Sequence, residues 1–449
     1  MIRKQNAMSP EVTRRGFLKR TGAIAGAVGI GPAISMPFVS RAHAETKTLT
    51  IVQWSHFVPE FDTWFDKFAQ EWGVNNHLFV TVDHVPHLEI PARAASEVAA
   101  KAGHDLFMWS GAGGPHVYKS FLTDVSKVVE YAQSKHGKVD TVGRQIAYNE
   151  DSETWSAYPD YYIRNPGMYR KDLWGEIGMT PDSWEDVRVG GAKLKKLGHP
   201  VGISLGHSVD PNTAWRAVLW SYGGSVQDET GKHVVLDSKQ TLEAVKYARA
   251  LYKEAMDPEV LSWDDASNNR LIDSGRGSWI LNPISAYRSA QKINPNLADN
   301  IFMWKTPKGP IRRLAAATPN SYGIWSFARN KEAAMEFLKY YADHWVDAFR
   351  ASTGYNSPIY ADIVSKPWPI ISNDPTSHPP DKLKILETCD KWSAAYGYPG
   401  PAWGATDEVV NNFIICDMMA KAATDEMTPE AAVKWAQHET ALVFKKWEV

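Results

Sequence analysis

Thr48-Leu49-Thr50-Ile51-Val52-Gln53-Trp54, the stretch from Pro59 to Trp72, and then Leu78 to Val85 decide the fold. The first stretch is short, apolar and β-branched, as a strand requires. In the second, Phe61, Trp64, Phe65 and Phe68 recur at i, i+3, i+4 and i+7, which is one face of a helix. The third alternates apolar residues as a second strand. A short helix near Pro91–Lys101 leads to a third strand, Asp105-Leu106-Phe107-Met108-Trp109. Strand, helix, strand, helix, strand reads as a parallel α/β sheet. Ligands of such sheets bind beyond the carboxyl ends of the strands. That rule selects Gln53, Trp54, Ser55 and His56 after the first strand, and Trp109, Ser110, Gly111 and Gly114 after the third.

Further along, the elements are shorter. Helices are expected over Trp184–Leu197, Asn212–Tyr222, Lys239–Ala255 and Asn268–Gly275, with short strands at Val201–Leu205 and Gly277–Leu281. Gly223-Gly224 stops one helix, and Leu236-Asp237-Ser238 caps the next. From Lys331 onward the chain is mostly helical, interrupted by a proline-rich loop over 366–381.

The first 44 residues read as an address. Arg14-Arg15 precede Phe17-Leu18, a Gly- and Ala-rich apolar run follows, and Ala42-His43-Ala44 is a small-x-small cleavage site. Together they define a secretory signal of the twin-arginine kind, cleaved near Ala44 into the periplasm. The segment holds Arg3, Lys4, Arg14, Arg15, Lys19, Arg20 and Arg41 against one acid, Glu11. Its removal takes 49 basic residues to 42 and 51 acidic ones to 50, so the net charge falls from −2 to −8. A protein of that charge has no basic stripe for phosphates and is not expected to bind nucleic acid. It suits a soluble monomer.

The remaining 405 residues exceed one ordinary core and call for two lobes. Cys389 and Cys416 either pair in an oxidising compartment or stay free after folding before export. No Cys/His cluster has zinc spacing; His84-x-x-His87 comes nearest and reads as a solvated loop pair. All 19 Trp lie after residue 44, many beside Gly, Pro, Ser or Asn. Aromatic faces in loops suit ligands with apolar C–H faces and polar rims, such as sugar rings.

Several stretches carry a likeness to a known family. They are Asn165-Pro166-Gly167-Met168-Tyr169-Arg170-Lys171-Asp172-Leu173-Trp174 with Gly178-Met179-Thr180-Pro181-Asp182-Ser183-Trp184-Glu185-Asp186, then Trp220-Ser221-Tyr222-Gly223-Gly224 with Leu236-Asp237-Ser238. Asp273-Ser274-Gly275-Arg276-Gly277-Ser278-Trp279, Asn330-Lys331-Glu332 through Phe337-Leu338, and Thr428-Pro429-Glu430 follow in order. The mature chain resembles the extracellular solute-binding proteins of ABC importers, in the branch that includes maltose-binding protein. Arg170 departs from the family pattern, which usually has Asn there.

The resemblance implies an α/β protein of two lobes joined by crossover segments, with a central cleft. Lobe one would hold 45–157 and 276–325, and lobe two 158–275 and 326–449. It implies capture of a sugar, oligosaccharide or polyol by lobe closure, then delivery to a membrane permease. Closure requires contacts that the solute makes with both lobes only when they are shut. No cofactor and no catalysis are implied.

Trp54 and Trp109 are the expected stacking platforms, with Gln53, His56 and Ser110 beside them as hydrogen-bonding groups. Tyr161 and Arg164 stand at the crossover, where an Arg fork suits vicinal hydroxyls or a carboxylate. Trp263, Asp264 (with Asp265), Asn282, Asn320, Tyr322, Tyr355, Asn356 and the late loop residue Trp403 complete the candidates.

Two enzyme readings compete with this one. Ser110-Gly111-Ala112-Gly113-Gly114 lacks the G-x-G-x-x-G spacing of a dinucleotide loop. A glycosidase needs two carboxylates flanking a cleft, and no acid here sits in a recognisable catalytic context.

Overall fold

The computed structural model describes residues 47–111, 114–366 and 368–447; the expected export signal, 1–44, lies outside them. The chain opens with strand β1 (Thr48–Trp54), helix α1 (Pro59–Asn75), strand β2 (Phe79–Val85), helix α2 (Ile90–Ala100) and strand β3 (Leu106–Ser110). Helix α1 forms where it is expected. Pro59 occupies its first turn, Glu60 and Asp62 complement its N-terminal dipole, and Phe61, Phe65, Phe68, Ala69 and Trp72 are buried on one face. That face lies so close to β2 that a Cβ on Gly73 would come within 2.5 Å of Val80.

β2, β1 and β3 pair in parallel. The sheet as a whole is mixed, which corrects the all-parallel expectation. Strand Thr318–Ile324 returns antiparallel to β3, and Tyr158–Ile163 pairs antiparallel to it in turn, with Ser357–Pro358 at the edge. All seven residues of Thr318–Ile324 are buried, as befits a central strand covered on both faces.

A second, four-stranded sheet contains Ile301–Trp304, Gly167–Arg170, Trp279–Leu281 and Val201–Gly202, in that order. The two sheets therefore divide the chain differently from the boundaries read off the sequence. Tyr158–Ile163 belongs to the first sheet rather than the second lobe. Trp279–Leu281 and Ile301–Trp304 belong to the second sheet rather than the first. In each case inter-strand pairing sets the strand's place, whereas the boundaries came from the resemblance.

The second sheet is covered by helices with strong local signals. Ser183 and Asp186 close a capping box on Trp184–Lys196. Ser238 caps Lys239–Ala255. The helices Ile414–Ala423 and Pro429–Trp447 pack against Lys239–Ala255. The proline-rich loop lies over the helix Ser285–Ile293, held by a 2.6 Å Arg288–Asp374 ion pair in which both side chains are buried. Cys389 and Cys416 are both free and buried, so the pairing alternative falls away.

Candidate functional site

A cavity of about 300 Å³ lies where the two halves of the chain meet. His87, Leu88, Pro91, Ala92, Ser110 and Gly111 form one wall, from the ends of β2 and β3 and the start of α2. His207, Val209, Asn212, Val410, Asn411 and Phe413 form the opposite wall, and Tyr396 joins the lining. The first wall is where strand-end logic predicts a ligand. After β3, Gly111 turns the chain at φ +84°, a backbone geometry that glycine adopts without strain.

The polar groups of this first wall are organised. His87 Nε2 and the Ser110 hydroxyl lie 2.7 Å apart. Burial holds the His87 imidazole neutral, its pKa lowered to about 4. His87 Nδ1 has no partner among the described residues. His87 is thus a wall residue and not half of a solvated pair; His84 instead lies 2.8 Å from Asp66 of α1. Next to Ser110 across the sheet sits Asn320, its register partner, so both side chains share one face. Asn320 is fully buried, donates to Thr318 O at 3.2 Å, and leaves Oδ1 without a donor among the described residues.

Behind His87 stands an aromatic cluster. Trp54 meets His87 edge-on at 5.2 Å and packs against His56, Phe57 and Tyr355. Its indole N–H donates to the Tyr161 hydroxyl at 3.0 Å. His56 Nδ1 accepts from Val58 N, so Nε2 carries the proton and donates to Asn356 Oδ1 at 2.9 Å. Burial keeps this ring neutral too, at a pKa of about 4. Trp54, His56, Tyr161, Tyr355 and Asn356 are therefore brought together, but as the backing of the wall and not its surface.

The second wall rests on the helix Val209–Ser221. Its first two amides, Val209 N and Asp210 N, donate to Asp265 Oδ1 at 2.8 and 3.1 Å. Asp210 Oδ2 accepts from Asn268 Nδ2 at 2.5 Å, and Asn268 bonds in turn to Asn282 Oδ1. Burial, with the neighbouring Asp265 charge, raises the Asp210 pKa well above the carboxylate range. Burial, and after it the charges of Asp210 and Asp265, push the Tyr355 hydroxyl well above its ordinary pKa. Two residues on, Asn212 takes a 2.6 Å hydrogen bond from the fully buried Arg216 one turn further along, whose Nε has no partner among the described residues. Asp210, Asn212, Arg216, Tyr396, His87 and Phe413 were missed in the sequence. The signal available for Asp210 and Asn212 was Ser208 followed by an acidic first turn, the start of a helix pointing into a cleft.

Other sequence candidates lie elsewhere, each for a physical reason. Trp109 is a strand residue whose side chain stands off the sheet face. It packs against Phe107 and Trp325, and its ring fills the space over Gly323, where a Cβ would come within 2.4 Å. Tyr322 stacks in the core with Phe65 and donates to Gln53 Oε1 at 2.5 Å, which removes Gln53 and Tyr322 together. Arg164 turns away, its guanidinium 3.6 Å over the Tyr162 ring and 5.8 Å from that of Trp368. Trp263 packs over Gly202, and Asp264 pairs with Arg270 on the surface. Asn282 is tied up with Asn268 and Asn269. Trp403 donates to Gln227 and packs on Phe444 in the helical cap, so it is no rim aromatic.

Among the described residues, no group of three or more His, Cys, Asp or Glu could hold a metal. No helix among them is long and apolar enough to cross a membrane.

No curated protein sequence matches the chain. Solved structures share its two-lobed fold. A sugar transporter from Arthrobacter chlorophenolicus A6 with bound laminaribiose has a TM-score of 0.74 at 16% identity, covering 88% of this chain and 99% of that one. Maltose-bound T. maritima MalE3 has a TM-score of 0.73 at 19% identity, over 88% and 99%. An ABC transporter solute-binding protein from Agrobacterium radiobacter K84 in complex with ribitol has a TM-score of 0.71 at 18% identity, over 88% and 98%. The family model described as bacterial extracellular solute-binding protein matches residues 80–344, more than half of the sequence. The chain belongs to the bacterial extracellular solute-binding protein family.

Proposed function

We propose that this protein is the exported receptor of an ABC importer and captures a sugar or polyol between its lobes. The cavity walled by His87 and Ser110 on one side and His207, Asn212 and Phe413 on the other carries the reading. At about 300 Å³ it has the size of small-molecule sites, and it combines a few polar groups with apolar and aromatic ones. Laminaribiose, maltose and ribitol in the structures of similar fold support the solute class. Export by the twin-arginine route with cleavage near Ala44 is part of the same reading, as are a monomeric state, docking of the closed form on a membrane permease, and the absence of turnover.

The site residues of this reading are His87, Ser110, His207, Asn212, Tyr396 and Phe413 at the surface of the cavity, backed by Trp54, His56, Tyr355 and Asn320. A solute touching both walls stabilises the shut form by the difference between its contacts there and in the open form. The test is a thermal-shift screen of neutral sugars and polyols with mass spectrometry of the solute before and after incubation. A rise in Tm with the solute unchanged is the expected result. Chemical conversion of the stabilising sugar, or no Tm shift with any of them, overturns the reading.

A further inference from the structure

The cavity carries aliphatic and aromatic groups on facing walls. On the first wall Leu88, Pro91 and Ala92 line it, at and just before the start of α2, and Leu88 is half exposed although it is apolar. On the second wall Val209, Val410 and Phe413 line it. Polar groups stand beside them: the His87–Ser110 pair on the first wall and Asn212 on the second.

The second wall also holds a flat, two-ring unit. The imidazole of His207 and the ring of Phe413 stack with centroids 4.7 Å apart and planes 4° from parallel. Both residues line the cavity. Phe413 covers one face of the imidazole, yet 58% of the His207 side chain is exposed, so its other face is open. His207 Nε2 lies 2.6 Å from Asp417 Oδ1, in the first turn of the helix Ile414–Ala423, which holds the imidazole against the phenyl ring. Phe413 stands directly before that helix with a left-handed backbone, φ +55° and ψ 24°. A bulky residue rarely adopts this conformation. Asn412, next to it, would take it with less strain but sits at φ −85°. Such outliers persist where the surroundings over-determine them, and they gather at ligand sites.

We infer that the His207–Phe413 stack is the platform on which the solute lies, and that the solute is a cyclic sugar and not an open-chain polyol. The inference rests on the sugar-receptor reading and specifies its ligand. A cyclic sugar has C–H faces that lie flat on an aromatic surface and on aliphatic groups opposite, while the hydroxyls at its edge meet the few polar groups of the walls. An open-chain polyol carries a hydroxyl on every carbon of a flexible chain. It has no broad face free of hydroxyls, and fixing its chain costs rotational freedom that a ring has already given up. His207 and Phe413 are thus specificity-determining residues, the ring of Phe413 placed by its left-handed backbone and the imidazole of His207 by Asp417.

The experiment is calorimetry of the full chain with four matched pairs, glucose and glucitol, galactose and galactitol, mannose and mannitol, ribose and ribitol, and with maltose and laminaribiose. At least one cyclic sugar is expected to bind tenfold or more tightly than every polyol of the set. Phe413→Asn tolerates the left-handed backbone and removes the ring. It is expected to weaken the tightest cyclic sugar at least tenfold, with circular dichroism and Tm confirming the fold. Phe413→Tyr, which restores a ring, is expected to stay within threefold of the unmodified protein. If Phe413→Asn does not fold, His207→Ser, at an exposed position, takes its place and is expected to weaken the same sugar at least threefold. A polyol that binds within tenfold of the tightest cyclic sugar, or a smaller loss of sugar affinity in the folded variant, overturns the inference and leaves the receptor of sugars or polyols standing. No binding and no rise in Tm with any of the ten removes both readings.

Discussion

Trp54 Nε1 donates a 3.0 Å hydrogen bond to the hydroxyl of Tyr161, a residue 107 positions later in the chain. The bond ties β1 to the strand Tyr158–Ile163 across the sheet, and it fixes the indole edge-on behind His87. Trp54 is fully buried and Tyr161 nearly so. The pair holds the wall of the cavity in place without touching what enters it.

Removing the Tyr161 hydroxyl leaves a buried indole N–H with no acceptor, and such an orphan costs about 1–3 kcal/mol. Tyr161→Phe is expected to lower stability by that amount in urea titration. Trp54→Phe, which removes the donor and part of the ring, is expected to cost at least as much. Because the two share one bond, the double variant should cost less than the sum of the singles by at least about 0.5 kcal/mol. Strict additivity would show that the bond does not form.

Trp109 makes the opposite case. Its ring fills the space above Gly323 and meets Trp325 edge-on at 5.3 Å. Trp109→Ala should open a core cavity and cost about 3–5 kcal/mol of stability. Gly323→Ala should cost about 1–3 kcal/mol by overpacking against that ring. Affinity for any sugar that raises Tm in the thermal screen should stay within threefold of the unmodified protein in Gly323→Ala at 15 °C, where the protein remains folded. A tenfold loss of affinity in a folded Gly323→Ala would place Trp109 in the site.

These two tryptophans show what was legible in the sequence. Periodicity located β1, α1, β2, α2 and β3 to within a few residues, because each element has its own local apolar pattern and α1 opens on Pro59, Glu60 and Asp62. Of the strand-end residues it pointed at, Ser110 and Gly111 line the cavity. The sequence did not say which way a side chain leaves a strand. Trp109 and Ser110 are neighbours, and their side chains take opposite faces. It did not reveal the antiparallel return of Thr318–Ile324, since pairing partners far apart in the chain leave no local mark. It missed His87, Asn212 and Tyr396 for the same reason. Each becomes a wall residue only when two distant segments meet.

Acid sensitivity follows from two buried imidazoles. His56 and His87 both have pKa values lowered to about 4 by burial, against about 6.5 when exposed. Between those values the unfolded chain binds more protons than the folded one, so stability falls as pH falls from about 6.5 to 4. Each imidazole contributes a slope of up to about 1.4 kcal/mol per pH unit in that window. Urea titrations at half-unit pH steps should show it, and His56→Gln should make the decline shallower. An unchanged slope in that variant would mean that His56 is protonated in the folded protein.

Asp160 works in the other direction. It sits on the strand Tyr158–Ile163, where Tyr341 donates to it at 3.1 Å, and burial raises its pKa to about 8. The folded chain therefore holds a proton that the unfolded chain gives up above about pH 4. Stability from this group is present in acid and is lost as pH rises toward 8. Asp160→Asn, which keeps the shape and removes the titration, is expected to be more stable than the unmodified protein at pH 8 and to lose most of that advantage at pH 5. Equal differences at the two pH values would show that Asp160 is ionised throughout.

The two cysteines give the last test. Cys389 and Cys416 are free, fully buried, and have thiols pushed up to about 12 by burial. The thiolate is the nucleophile, so neither should react while the protein is folded. The native protein at pH 8 is expected to take up no iodoacetamide by intact mass, and to take up two equivalents after denaturation in 6 M guanidinium without any reductant. Uptake in guanidinium only after reduction would reveal a disulfide and a different packing around Cys389. Rapid labelling of the native protein would mean instead that the segment carrying Cys389, or the helix Ile414–Ala423, opens on the timescale of the reaction.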